Sequence, residues 1–229
     1  MRIIRVIMTT IAILSSLSGF AQSTPYKFDF GGALGMSGYL GDANTSSLMK
    51  HPGFEAELSF RYLPDSRWAF RGVLSTLSLS GSTADMEDVL PSTGEPSYNF
   101  KSTVYDLGAR VEFNFFSYGI GETYKRLRRW SPYLTVGLGV SMSSSGGTTS
   151  VAPNLPMGAG VKFKLSERVN LGAEFTMTKV FGDKVDGPLL NDLNTIKTSF
   201  YKNTDWYSRL TIGITYEFGK RCETCHYVD

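Results

Sequence analysis

The sequence has little of what marks most other classes of protein. Its 229 residues include only two cysteines, which excludes a disulfide-rich scaffold. The 23 Lys and Arg residues nearly balance the 21 Asp and Glu residues, and this balance argues against a nucleic-acid-binding domain. Beyond the first 21 residues there is no run of about 20 apolar residues, so we expect no helical anchor. A globular enzyme, a β-sandwich and a membrane β-barrel remain.

Residues 1–21 predict a secretory signal peptide. Arg2 and Arg5 give a positive start, an apolar stretch follows over 6–14, and Gly19-Phe20-Ala21 fits the small-x-small rule for cleavage. We therefore expect an exported chain in which residues 22–218 form the folded domain and residues 219–229 form a tail.

The rest of the chain repeats about ten residues of apolar and polar alternation followed by a turn or a polar loop, as β-strands do. Eight such runs begin at Tyr26, Phe54, Trp68, Tyr105, Leu134, Leu155, Val169 and Trp206. In the third run, Val73 and Leu77 blur the alternation. Aromatic residues of the apolar face gather near the strand ends, as in interfacial girdles: Tyr26, Phe28, Tyr62, Trp68, Phe115, Trp206, Tyr216 and Phe218.

The polar face decides between a soluble sandwich and a barrel. It mixes glycines, which make room, with charges of both signs, as a narrow barrel interior does. The acidic residues expected to face inward are Asp29, Glu55, Glu57, Asp106, Glu112, Glu174 and Glu217, and the basic residues are Lys27, Arg61, Arg71, Arg110, Lys162, Lys164 and Arg209. Because unpaired buried charges are costly, this balance predicts an all-β, eight-stranded antiparallel transmembrane up-and-down barrel with a plugged, salt-bridged lumen.

The connections between the runs alternate in length. Three are turn-like or moderate (63–67, 117–131 and 166–168), and four are longer and polar (41–52, 80–99, 143–153 and 182–204). Outer-membrane barrels have short periplasmic turns and longer outer loops, so we expect both termini in the periplasm. Side chains fill an eight-stranded barrel, so we expect little conduction.

The tail carries Cys222-Glu223-Thr224-Cys225-His226, which matches the pattern of covalent haem attachment. The motif starts soon after the last strand residue, and too little chain remains to fold around a haem, so we expect no cofactor. The hypothesis of a metal site in the tail is weak as well, because His226 and the two cysteine thiols make at most three ligands. An internal disulfide and a bridge to a partner both remain open.

A basic cluster lies in the middle connection: Lys125, Arg126, Arg128 and Arg129, beside Tyr124 and Trp130. It suits either anchoring on lipid phosphates or docking to an acidic periplasmic surface. Signals for an enzyme are poor. His51, the histidine that a lipid-acting barrel could use, has no serine or carboxylate partner at a fixed spacing.

Several stretches together resemble the PorG family, small outer-membrane barrels of the type IX secretion machinery of Bacteroidota. They are Tyr39-Leu40-Gly41-Asp42, Pro52-Gly53 leading to Phe60-Arg61-Tyr62-Leu63, Arg67-Trp68-Ala69-Phe70-Arg71, residues 118–139, and the end from Tyr216 to Cys222 with Cys225. The cysteine-bearing tail directly after the last strand is the most specific of these.

The resemblance implies a non-enzymatic barrel that fixes a periplasmic ring, built from a PorK-like lipoprotein and a PorN-like protein, to the outer membrane. The partner-binding residues would then be Lys125, Arg126, Arg128, Arg129, Arg221, Cys222 and Cys225. Outer-membrane lipid is the other expected partner, with no nucleic acid and no small-molecule substrate. Two alternatives remain: a lipid-acting barrel enzyme, whose loss would alter lipid A, and an OmpA-like structural or adhesive barrel, whose loss would leave secretion intact.

Overall fold

The computed structural model describes residues 26–40, 52–82, 99–120, 127–145, 148–181 and 206–220. They form eight β-strands: β1 (Tyr26–Leu40), β2 (Gly53–Tyr62), β3 (Trp68–Ser82), β4 (Asn99–Asn114), β5 (Trp130–Ser145), β6 (Thr148–Lys164), β7 (Val169–Val180) and β8 (Trp206–Lys220). Within these ranges, no helix is long and apolar enough to span a bilayer. The predicted signal peptide and cysteine tail lie outside the described residues.

The strands form one closed barrel in sequence order, and each strand pairs antiparallel with its neighbours. The closure is carried by β1, in which Leu34 pairs with Ala56 of β2 on one side and with Ile212 of β8 on the other. Closure leaves no unpaired strand edge, which a barrel in a bilayer requires. The predicted eight-stranded up-and-down barrel is confirmed.

The two ends of the barrel differ, and we name them by their connections. At the turn end β1 begins and β8 ends, and the strands are joined by residues 63–67, 115–129 and 165–168. At the loop end the connections are residues 41–52, 83–98, 146–147 and 181–205.

The outer wall is apolar over its whole height. Leu138, Leu107 and Phe54 are 68%, 65% and 63% exposed, and each has inward-facing neighbours in sequence. Such exposure is typical of side chains that meet lipid rather than water. Tyr62, Phe115, Tyr216 and Phe218 are exposed at the turn end, as the girdle prediction requires.

One predicted loop is wrong. Residues 143–153 were expected to form a long polar loop, whereas β5 continues to Ser145 and β6 begins at Thr148. The alternation in fact persists here, because Val151 is exposed on the wall while Ala152 is buried inside. The two residues between these strands, Gly146 and Gly147, lie outside the described residues.

Two assignments at the start of β1 are also wrong. Lys27 was expected in the lumen and is exposed, and Tyr26 was expected on the lipid face and is buried. Both lie at the rim of the turn end, where the lumen closes. Arg168 covers Tyr26: its Nε donates to the phenol oxygen at 3.0 Å, and its Cζ lies 5.5 Å from the ring centre.

Candidate functional site

The lumen near the turn end is filled by ion pairs around Glu112. Its Oε1 accepts from Arg61 Nε at 2.9 Å and lies 3.1 Å from Arg71 Nε, and its Oε2 accepts from Lys162 Nζ at 2.9 Å. Arg61 also donates to Asp29 at 3.1 Å. Glu112 is fully buried, and its one negative charge is shared by three cations from three other strands, which offsets the cost of burying these charges.

The network continues toward the loop end through Glu174. Arg71 Nη2 and Arg110 Nη1 donate to its Oε1 at 2.7 and 3.1 Å, and the phenol of Tyr133 donates to its Oε2 at 2.6 Å. Arg110 also lies 4.0 Å from Glu57. Glu174 thus links β3, β4 and β5 across the lumen from β7.

Arg209 extends the network of ion pairs to the carboxylates nearest the loop end. Its Nη1 lies 3.2 Å from Glu55, 3.8 Å from Glu57 and 3.8 Å from Asp106. Asp106 in turn accepts hydrogen bonds from Ser141, Asn154 and Tyr207. Ion pairs therefore run without a break from Asp29 to Asp106, and they obstruct the lumen along most of its length.

All seven predicted inward-facing carboxylates are buried, together with six of the seven predicted cations: Asp29, Glu55, Glu57, Asp106, Glu112, Glu174, Glu217, Arg61, Arg71, Arg110, Lys162, Lys164 and Arg209. Lys27 is the exception. The prediction of a plugged, salt-bridged lumen is confirmed.

Beyond the charges, the loop end of the lumen is apolar, which the sequence analysis missed. The buried side chains that pack together there are Leu77, Leu79, Val104, Ala152, Val180 and Tyr207. Val73 and Leu77, which blurred the third run, point inward and are 2% and 1% exposed. Both faces of β3 carry apolar residues, so its own alternation could not assign the inner face.

A lid made by residues 115–120 and 127–129 covers the turn end. The amide of Arg128 donates to Ser117 O at 2.8 Å, and that of Gly119 donates to Arg128 O at 3.0 Å. Between them, Tyr118 is buried and its phenol donates to Asn170 Oδ1 at 2.7 Å. Burial is the main cause that raises the pKa of Tyr118 above its usual range, so the phenol remains a donor.

Little internal space is left between the lid and the ion pairs. A polar cavity of about 50 Å³ lies between Asp29, Arg61 and Tyr118, enough for ordered water rather than for a substrate. Among the described residues, no group of three His, Cys, Asp or Glu side chains could hold a metal ion.

Glycines of the inner face make room for the large side chains of the lumen. A substitution at Gly160 tests this packing. A Cβ on Gly160 would fall 2.6 Å from the phenol of Tyr133 and 2.7 Å from Ala173 O, whereas a Cβ on Gly172 would meet only Val161 O at 3.9 Å. We expect Gly160→Ala to lower the free energy of unfolding by about 1–3 kcal/mol, because Tyr133 must leave Glu174. Urea unfolding in vesicles measures this. Gly172→Ala is the matched control, and equal midpoints for the two variants would contradict the packing described.

The turn end carries an exposed basic rim, defined here as Lys27, Arg67, Arg128, Arg129, Arg168 and Lys220. Among the described residues outside the lumen at this end, Asp65 and Glu167 are acidic. The predicted partner-binding residues Arg128 and Arg129 therefore lie in a larger basic surface. Lys125, Arg126, Arg221, Cys222 and Cys225 lie outside the described residues.

The rim also holds Arg168, which the sequence analysis missed. Its Nη1 donates to Tyr216 at 3.0 Å, and this bond with the one to Tyr26 raises the pKa of Arg168, so that it stays charged. Tyr118 was likewise missed. Both contacts join residues distant in sequence at turns, where no periodic pattern exists to predict them.

A closed antiparallel barrel of eight strands, with an apolar outer wall and a lumen filled by side chains, has the fold of small outer-membrane proteins of Gram-negative bacteria. Residues 4–227 match the family described as a domain of unknown function, DUF6089. The chain belongs to this family. No curated protein matches the sequence.

The chain is similar to several solved structures. Neisserial surface protein A superposes with a TM-score of 0.54 at 17% identity, covering 83% of this chain and 97% of that one. Ail, the attachment invasion locus protein of Yersinia pestis, gives 0.48 at 13% identity, covering 84% and 99%. OprG from Pseudomonas aeruginosa gives 0.43 at 10% identity, covering 86% and 98%. At 17% identity, the likeness to Neisserial surface protein A shows the fold alone.

Proposed function

We propose that this barrel is a non-enzymatic component of the type IX protein secretion machinery, which attaches a periplasmic ring of PorK-like and PorN-like proteins to the outer membrane. The sequence resemblance supplies the identity of the machinery. The role of an anchor, as opposed to a channel for cargo, is supported by the ion pairs from Asp29 to Asp106, which fill the lumen among the described residues.

The proposal places the turn end in the periplasm, with both termini. Outer-membrane barrels have short turns on the periplasmic side and longer loops on the outer side. The two longest connections, 83–98 and 181–205, both lie at the loop end, although the two-residue connection 146–147 lies there as well. The basic rim would then face the periplasm, beside the point where β8 ends at Lys220 and the cysteine tail follows.

The observation that carries the proposal is the way in which Arg128 is held at the exposed rim, next to Arg129. Arg128 is held through its backbone by Ser117 and Gly119, and its guanidinium lies 4.3 Å above the ring of Phe116. Phe116 itself packs edge-on against Trp130 at 5.1 Å. A cation fixed in this way loses little entropy on binding, which favours docking of an acidic protein surface.

Reversing the charge of this surface tests the docking. We expect Arg128→Glu with Arg129→Glu to reduce co-purification of the ring proteins by about tenfold, because opposing charges become like charges. Pull-down from detergent-extracted outer membranes, quantified by mass spectrometry, measures the loss. Lys179→Glu at the loop end is the control and should retain the ring. Undiminished ring binding by the double variant would rule out this surface.

The cysteine tail needs a separate test. We expect Cys222→Ser with Cys225→Ser to weaken ring attachment while the barrel still shows a heat-dependent shift on gels. On a non-reducing gel, a thiol-sensitive band of higher mass would identify a covalent partner. Normal ring co-purification and secretion in the double variant would show that the tail has no part in attachment.

A further inference from the structure

We propose that the outer wall carries a binding site for one anionic glycerophospholipid of the leaflet at the turn end, with an acyl chain in a groove across β3 to β7 and the phosphate on the basic rim. The proposal is independent of the secretion role, because it rests on the wall of the barrel and its rim.

The groove has a volume of about 590 Å³. It lies between two rows of side chains that follow the strand pairing. The first row runs through the directly paired residues Trp68, Phe113, Leu134, Ala159 and Phe175. The second row runs parallel to it from Val111 to Met177. Ala159 has the smallest side chain of the first row, so the groove is deepest there, between Leu134 and Phe175.

The direction of the groove suits an acyl chain. Trp68 is the first residue of β3 at the turn end, whereas Phe175 lies six residues beyond the start of β7 at Val169. Four strand spacings of about 4.8 Å make the groove roughly 19 Å long, and with strands tilted by about 40° it descends about 12 Å, most of one leaflet's ~15 Å. The groove therefore starts at the headgroup level and ends near the bilayer centre.

The rim at the start of the groove suits a phosphate. Arg67 is exposed beside Trp68, and Trp68 packs against Phe113 at 4.8 Å. Asp65 is close in sequence, but its Oδ1 accepts from the amides of both Arg67 and Trp68 at 2.7 Å, so it serves to fix the turn. Apolar fit alone selects little in a bilayer, since lipid tails are equally apolar. The basic rim supplies the preference for an anionic lipid, because its six cationic residues outnumber the two acidic residues Asp65 and Glu167.

Native mass spectrometry of the folded protein in detergent tests the site, with palmitoyl-chain phosphatidylglycerol as the probe and phosphatidylcholine of the same chains for comparison. We expect one phosphatidylglycerol to be retained per barrel. Arg67→Ala should weaken its retention about fivefold, since one basic side chain near anionic lipid contributes on this scale. Ala159→Leu should weaken it about threefold by filling the groove, whereas Ala173→Leu, on the same wall outside the groove, should leave it unchanged.

Heat-dependent gel mobility establishes that each variant is folded before the comparison. Retention that is equal in the four proteins, or equal for the two lipids, would overturn the proposal. It would also be overturned if the groove held a second copy of the chain, seen as a dimer mass that Ala159→Leu abolishes. The proposal would also be overturned if the groove retained an acylated protein instead of the phospholipid, and if Ala159→Leu abolished that retention.

Discussion

Glu112→Gln is expected to destabilise the barrel by about 3–5 kcal/mol, the range for removing one member of a buried ion-pair network. The variant keeps the size of the side chain but loses the charge that Arg61, Arg71 and Lys162 share at 2.9, 3.1 and 2.9 Å. Arg61 would then keep its ion pair with Asp29 and Arg71 its ion pair with Glu174, whereas Lys162 would lose its one described ion pair. Urea unfolding of protein inserted in vesicles, followed by tryptophan fluorescence, measures the loss.

Two comparisons separate the charge effect from a general one. Glu167→Gln removes a carboxylate that is exposed at the turn end, and we expect a change below about 0.5 kcal/mol. Adding Lys162→Met to Glu112→Gln removes one of the stranded cations, so the double variant should be more stable than Glu112→Gln alone. If Glu112→Gln unfolds at the midpoint of the unmodified protein, the ion pairs of the lumen do not stabilise the barrel.

Leu138→Arg is expected to cost about 2–4 kcal/mol, because it places a charge on the lipid face near the bilayer centre. Leu138 is 68% exposed and lies in the middle of β5. Leu165 is also exposed, but it follows the last residue of β6 at the turn end. Leu165→Arg should therefore cost only about 0–1 kcal/mol, since its side chain reaches the interface.

Folding yield and unfolding midpoint in vesicles measure both substitutions. The larger loss in the free energy of unfolding marks the residue that lies deeper in the bilayer. A soluble β-protein, in contrast, would tolerate arginine equally at the two exposed positions. Equal costs would contradict the assignment of this wall to the lipid.

The sequence was sufficient to predict which charges face inward, except for Lys27 at the rim of the turn end. Alternation with a period of two places Asp106, Arg110 and Glu112 on one face of β4 whatever the pairing, so each strand could be assigned separately. Where both faces are apolar, as at Val73 and Leu77, the strand alone gives no answer, and its neighbours on the sheet decide.

Partners across the lumen could not be predicted. That Glu112 meets Arg61, Arg71 and Lys162 depends on the stagger of β2, β3, β4 and β6, which sequence alternation does not encode. The contacts of the lid could not be predicted either, because Tyr118 binds Asn170 from an irregular connection. The proposed function comes from the sequence resemblance, because no contact within the chain could supply it.

The described residues leave the lumen of the barrel plugged, as the proposed role of an anchor requires and a conduit would not allow. Ion-pair chains along the lumen, the apolar cluster around Leu77 and Val104 at the loop end, and Tyr118 at the turn end all obstruct passage. Conductance of the purified, folded protein in planar lipid bilayers tests this most directly, with an open porin as the positive control. We expect no stable single-channel steps at moderate voltage, whereas steady, ohmic steps comparable to those of the porin would show an open lumen and contradict the account.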